Sequence, residues 1–122
     1  MKCSRYSKGR LGEDLALDFL LNNGLTLRDR NCRVGHKEMD LVMESESHIH
    51  IVEVKSIEKS GADPSEKVDE TKIRRLTSAA GEYVAVNHIS KEVQFDVVTI
   101  VFDGTDFDLE YLPNAFYPIY YR

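Results

Sequence analysis

Apolar residues first recur at four-residue spacing, at Leu11, Leu15 and Phe19 with Ala16 and Leu20 beside them. That stripe predicts a helix over Gly12–Asn23, with Gly24 as its C-terminal cap. The period then shortens. Leu25–Arg33 alternates as a strand, and Gly35–His36 reads as the turn after it. Glu38–Glu44 and His48–Lys55 are two further strands, joined by a polar turn at Ser45–Ser47. Ser56–Val68 holds Gly61, Pro64 and three serines and is expected to be a loop. Helical spacing returns over Asp69–Val86, with Ile73, Leu76, Ala80, Tyr83 and Val84 inward. Val93–Phe102 is the most β-branched stretch and should be a buried strand, followed by a short strand around Asp108–Leu112. The order αβββαββ predicts one α/β domain over residues 1–122, a mixed sheet with helices packed on it.

Within that frame, IVEVKS at residues 51–56 carries chemistry. Side chains alternate along a strand, so Glu53 and Lys55 share a face, about 7 Å apart, while Val52 and Val54 point the other way. In the neighbouring strand Met39, Leu41 and Met43 form the apolar face, which leaves Glu38 and Asp40 opposite. A hairpin of the two strands makes their apolar faces coincide, so Asp40 and Glu53 come together. Charged groups mid-sheet cost desolvation unless they find partners. Two carboxylates beside one lysine suit an oxygen-preferring cation such as Mg²⁺ (or Mn²⁺), and Glu13, on the polar side of the first helix, adds a third carboxylate. Such a group is suited to phosphodiester hydrolysis, in which the metal neutralises phosphate charge and activates water while the lysine steadies the attacking hydroxide. A plain salt bridge between Glu53 and Lys55 is the alternative.

The motifs make the resemblance specific. Asp40 followed by Glu53-Val54-Lys55 resembles the PD-(D/E)xK restriction-endonuclease-like superfamily. More narrowly, the chain resembles the YraN-like family of small endonuclease-like bacterial proteins. The matching pieces are Gly9-Arg10-x-Gly12-Glu13 with Ala16, Arg30-Asn31-x-Arg33, Glu38-Met39-Asp40-Leu41 and Val52-Glu53-Val54-Lys55-Ser56. Lys72 with Arg75-Leu76 and Ala79, and Phe95-Asp96-Val97-Val98, complete the set. The resemblance implies a restriction-endonuclease-like fold, a central mixed β-sheet flanked by helices. It implies catalytic roles for Glu13, Asp40, Glu53 and Lys55, metal ligation at Asp40, Glu53 and Val54, and nucleic-acid contacts from Arg10, Arg33, Lys72 and Arg75. The family is similar to archaeal Holliday-junction resolvases, so the implied activity is metal-dependent cleavage of structured or branched DNA in repair or recombination. A non-catalytic nucleic-acid or protein-binding module on the same fold is the alternative. The chain departs from the family at His36-Lys37, where a Gly-Gly turn is usual, at Cys32 for a tryptophan, and at Ile57 for a basic residue.

Composition limits the partners. The 122-residue chain is 42% hydrophobic and 30% charged, with a net charge of −5 that argues against a non-specific nucleic-acid coat. The acidic excess lies in residues 92–122, however, where six acidic residues accompany Arg122 alone. Basic residues cluster at Lys2, Arg5, Lys8 and Arg10, at Arg28, Arg30, Arg33 and Lys37, and at Lys72, Arg74 and Arg75, so one face can be basic. No apolar run reaches the length of a membrane span, no signal peptide is recognisable, and Cys3 and Cys32 lack metal-ligand spacing, so a cytoplasmic location is expected. His48 and His50 sit on the strand face opposite Glu53 and read as ordinary strand-end histidines. Asp96 reads as a buried polar residue holding a strand end, and the serines show no paired His–Asp spacing. Six of eleven aromatics fall in the last sixteen residues, and that tail is expected to pack on the sheet or to join two copies in a two-fold dimer.

Overall fold

The structure is a computed structural model, describing residues 2–3, 10–35, 37–60 and 70–116. Its elements are β1 (Lys2–Cys3), α1 (Arg10–Asn22), β2 (Thr26–Val34), β3 (Lys37–Glu44), β4 (His48–Glu58), α2 (Glu70–Val86), β5 (Glu92–Asp103) and β6 (Asp106–Phe116). The strands form one sheet in sequence order, with every neighbouring pair antiparallel except β4 and β5. Parallel strands need a crossover between them, and α2 provides it. One helix lies on each face. Ala16 and Leu20 of α1 pack on Leu41, Met43, Val52, Val98 and Ile100. On the other face Leu76, Ala79, Ala80 and Tyr83 of α2 pack on Met39, Val42, Ile49, Ile51 and Phe95. The α/β architecture with a mixed sheet is therefore as expected. Among the described residues, no helix is long and apolar enough to cross a membrane.

Local chemistry explains the boundaries. Gly24, at φ 91°, ends α1: Leu25 N–H bonds back to Leu20 C=O and Gly24 N–H to Leu21 C=O, a Schellman cap. Gly35, at φ 60°, opens the two-residue connection between Val34 and Lys37, where a tight hairpin needs a left-handed backbone.

Several expectations change. The apolar stripe of α1 is rotated: Gly12, Ala16 and Leu20 are buried, whereas Leu11 is 62% exposed. Glu13 turns inward with them and is 4% exposed, not on a polar outer face. The reason is Gly12, which lies so close to β4 that an added Cβ would meet Ser56 Oγ at 1.9 Å. The strand β4 continues through Ser56, Ile57 and Glu58, paired with Ile100, Val101 and Phe102, where a loop was expected. The last strand runs over Asp106–Phe116 instead of Asp108–Leu112. The rest of the expected loop from residue 61, His36, the side chains of the first nine residues, and the aromatic tail after Phe116 lie outside the described residues.

The largest correction concerns β3. Met39 belongs to the α2-side core but Leu41 and Met43 to the α1-side core, so they do not share one apolar face. Alternation slips in β2 at the same level. Arg30 reaches Glu13 of α1, while Cys32 and Val34 join the α2-side core. Between them Asn31 has φ 52°, a left-handed conformation that Asn tolerates better than most residues. The ladder accordingly pairs Arg30 with Leu41 and Cys32 with Met39, leaving Asn31 and Asp40 unpaired in that ladder. Asp40 sits at the slip.

Candidate active site

The slip decides where Asp40 points. The β3–β4 ladder ends at Leu41 and Val52, and beyond it the two strands are joined by a side chain. Asp40 Oδ2 accepts the main-chain N–H of Val54 at 2.9 Å, where a β3 carbonyl would otherwise serve. A cleft of about 440 Å³ opens at this point, and Asp40, Glu53, Val54, Lys55, Lys72 and Arg75 are among its lining residues.

Electrostatics show that the carboxylates converge. Burial raises the Asp40 carboxyl from the ordinary 3.8 to about 7; the Glu53 charge adds to this, and Glu13 adds less. The Val54 N–H and Lys37 act in the opposite direction without prevailing. Glu53 is 4% exposed, and its Oε2 lies 3.4 Å from both Lys37 Nζ and Lys72 Nζ. Its Oε1 is buried without a hydrogen-bond partner among the described residues. A buried anionic oxygen lacking a donor is costly, and a hard cation is one group that would satisfy it.

Six expected residues thus meet in one place: Asp40, Glu53, Val54 and Lys55 from two strands, Lys72 and Arg75 from α2. Glu13 lies behind Asp40, within reach of its charge, and pairs with Arg30 Nε at 3.4 Å. Arg10 and Arg33 are exposed and do not line the cleft. The expectation that Lys55 is the sole cation beside the carboxylates is overturned by Lys37 and Lys72. Lys72, expected as a nucleic-acid contact, is brought by the crossover against Glu53. These two lysines also supply positive charge beside Ile57, which lines the same cleft. Lys37 is the residue that sequence reasoning missed. Its signal was position alone, at the start of the strand that carries Asp40. Among the described residues, no three His, Cys, Asp or Glu side chains form a complete metal cage. Two carboxylates nevertheless match Mg²⁺, which takes few protein ligands and keeps several waters.

A second polar group lies at the opposite end of β4. His50 Nδ1 is 2.7 Å from Asp96 Oδ2, and its Nε2 is 3.0 Å from Ser45 Oγ. Serine, histidine and aspartate are therefore in line, although their sequence spacing gave no hint of it. Asp96 is fully buried and also accepts from Gln94 Nε2, Tyr111 Oη and Asn114 N. Burial alone would raise its carboxyl, but these four hydrogen bonds together hold it below the ordinary value. Asn114, at φ 54°, belongs to the irregularity where β6 slips against β5 between Phe95 and Val97. Asp96 thus pins an irregular sheet edge, the structural role expected of it.

Comparison with known proteins gives the family. The description "Uncharacterised protein family UPF0102" matches residues 12–100. The chain belongs to the UPF0102 family. A UPF0102 protein of Bacteroides thetaiotaomicron is 38% identical over 111 residues, covering 90% of this chain and 92% of the relative. UPF0102 protein BF0634 of Bacteroides fragilis is 38% identical over 113 residues, with 90% and 92% covered. A UPF0102 protein of Persephonella marina is 36% identical over 113 residues, with 87% and 97% covered. The matched span of the UPF0102 chain contains the whole carboxylate cleft, from Glu13 to Arg75.

Proposed function

We propose that this UPF0102 chain is a divalent-cation-dependent nuclease that hydrolyses phosphodiester bonds in structured or branched DNA, with a PD-(D/E)xK-type site. The observation that carries the reading is the convergence of Asp40 and Glu53 where β3 and β4 part, with Glu53 Oε1 buried and unpartnered among the described residues. Asp40, Glu53 and the Val54 main chain would hold Mg²⁺ or Mn²⁺. That cation supplies charge neutralisation on the scissile phosphate and lowers the pKa of a water.

The remaining work falls to the chain's own side chains. Lys55, on the same strand face as Glu53, positions the attacking oxygen and offsets its charge. Lys72 and Arg75 hold phosphate oxygens from the helix side. Lys37 balances Glu53 from β3, so the cleft stays cationic enough to admit a phosphate despite its carboxylates. Glu13, fixed by Arg30, keeps negative charge behind Asp40 and so strengthens its preference for a cation.

The test is a substrate panel. Purified protein is incubated with four-way, flapped, linear and single-stranded DNA in Mg²⁺ or Mn²⁺. Cleavage of at least one branched or flapped substrate, abolished by chelation, is expected. Tight DNA binding with every substrate intact would replace the nuclease by a binding module on the same fold.

A further inference from the structure

We propose that the hollow beside the carboxylate cleft is a second subsite, taking the nucleotide next to the scissile phosphate on the same DNA strand. This extends the nuclease reading and rests on it. The hollow, of about 360 Å³, lies between the β2–β3 turn and α2. Lys37 and Arg75 line both it and the carboxylate cleft, so the two form one trough.

Its walls suit a sugar–phosphate unit. Among the described lining residues, Lys37, Arg74 and Arg75 face one acidic side chain, Glu82, while Glu53 and Glu70 outside the hollow share the charge of Lys37 and Arg74. Arg74 is steadied by Glu70 one turn earlier in α2, at 2.7 Å. Val34 and Ala79, 5% and 3% exposed, give an apolar floor for a sugar or base face. Gly35, on the rim, faces open space: among the described residues nothing lies within 4 Å of where its Cβ would be. The volume is near the lower end for small-molecule pockets, about 300–1,000 Å³, and matches one nucleotide. Phosphate and sugar contacts position a strand without reading its sequence, so the subsite accepts any base. Forked and flapped DNA present such an unpaired nucleotide beside a duplex end.

Two substitutions at the hollow's rim, outside the carboxylate cleft, test this with opposite signs. Ser78→Glu puts a negative charge into the hollow at an exposed position of α2, and Glu82→Gln removes one. Glu110→Gln, exposed on β6, controls for net charge. Affinity of the full-length protein for a fluorescently labelled fork is read by anisotropy in EDTA, so that nothing is cut. Ser78→Glu is expected to weaken binding about tenfold and Glu82→Gln to tighten it about threefold, with Glu110→Gln unchanged, in line with the charge dependence of phosphate contacts. Wild-type binding with both hollow variants within twofold of it overturns the subsite alone. A shift in Glu110→Gln equal to that in Glu82→Gln overturns it too, since net charge then explains both. A wild-type protein that does not bind the fork overturns the subsite, while the nuclease reading stands or falls on cleavage in Mg²⁺ or Mn²⁺.

Discussion

Asp40 and Val54 are joined across the end of the β3–β4 ladder by a carboxylate-to-amide hydrogen bond of 2.9 Å. It closes a main-chain gap with a side chain and holds the acid beside Glu53. The arrangement is costly without a counter-ion, and that cost yields measurable consequences.

The first is a pH dependence of stability. In the folded chain, burial and then the Glu53 charge raise the Asp40 carboxyl to about 7, from 3.8. Between those values the native state holds more protons than the unfolded one, so this contribution to stability is lost as pH rises from about 4 to about 7. Asp40→Asn cannot ionise, yet its Oδ1 can still accept the Val54 N–H. Melting in EDTA should therefore show the variant gaining several degrees on the wild type between about pH 4 and pH 7. A constant difference would mean that Asp40 does not ionise against Glu53.

A divalent cation held by Asp40 and Glu53 would relieve the same repulsion. Mg²⁺ or Mn²⁺ should raise the wild-type melting temperature with increasing concentration, as any ligand of the native state does. The Asp40→Asn, Glu53→Gln double variant should lose the response. An identical response in both proteins would place the cation elsewhere.

Lys55 is predicted to act on the reaction more than on binding. Lys55→Ala should lower cleavage by about a hundredfold or more, with DNA affinity within a few-fold of wild type. Equal losses in both would make Lys55 a phosphate anchor, and unchanged cleavage would leave it a salt-bridge partner of Glu53.

Gly12→Ala tests how α1 is seated. An exposed mid-helix Gly→Ala change normally gains about 1 kcal/mol. Here the new methyl meets Ser56 Oγ at 1.9 Å and Ser56 Cβ at 3.2 Å, so a loss is expected. Ser56→Ala in the same chain should restore much of it, and the double-variant cycle should show clear coupling in thermal melts. Additive effects would mean that α1 and β4 are not in this contact.

The sequence carried much of this arrangement, because periodicity reports which residues face a core. Alternation along HIHIVEVK placed Val52 toward one layer and Glu53 toward the other, and the helical spacing of Leu76, Ala80 and Tyr83 placed α2. What alternation could not show was its own interruption. Met39 and Leu41 fall in different cores opposite the left-handed Asn31, and a backbone conformation of that kind leaves little mark on a hydrophobic pattern. Ser56–Glu58 read as loop because the outer end of β4 is not apolar, although β5 pairs with all of it. Lys37 and Lys72 reach Glu53 from 16 and 19 positions away in sequence, through the sheet and the crossover. The Ser45–His50–Asp96 line depends likewise on β4 and β5 lying parallel.

Single-turnover cleavage of one labelled branched DNA by the wild type, Asp40→Asn and Glu53→Gln, purified side by side and assayed in Mn²⁺, decides whether the two carboxylates catalyse. The wild type should cut, and each variant should lose about a hundredfold or more while still folded by circular dichroism. Equal cutting by all three would assign the activity to another site or to a contaminant, and intact DNA with the wild type would contradict the nuclease itself.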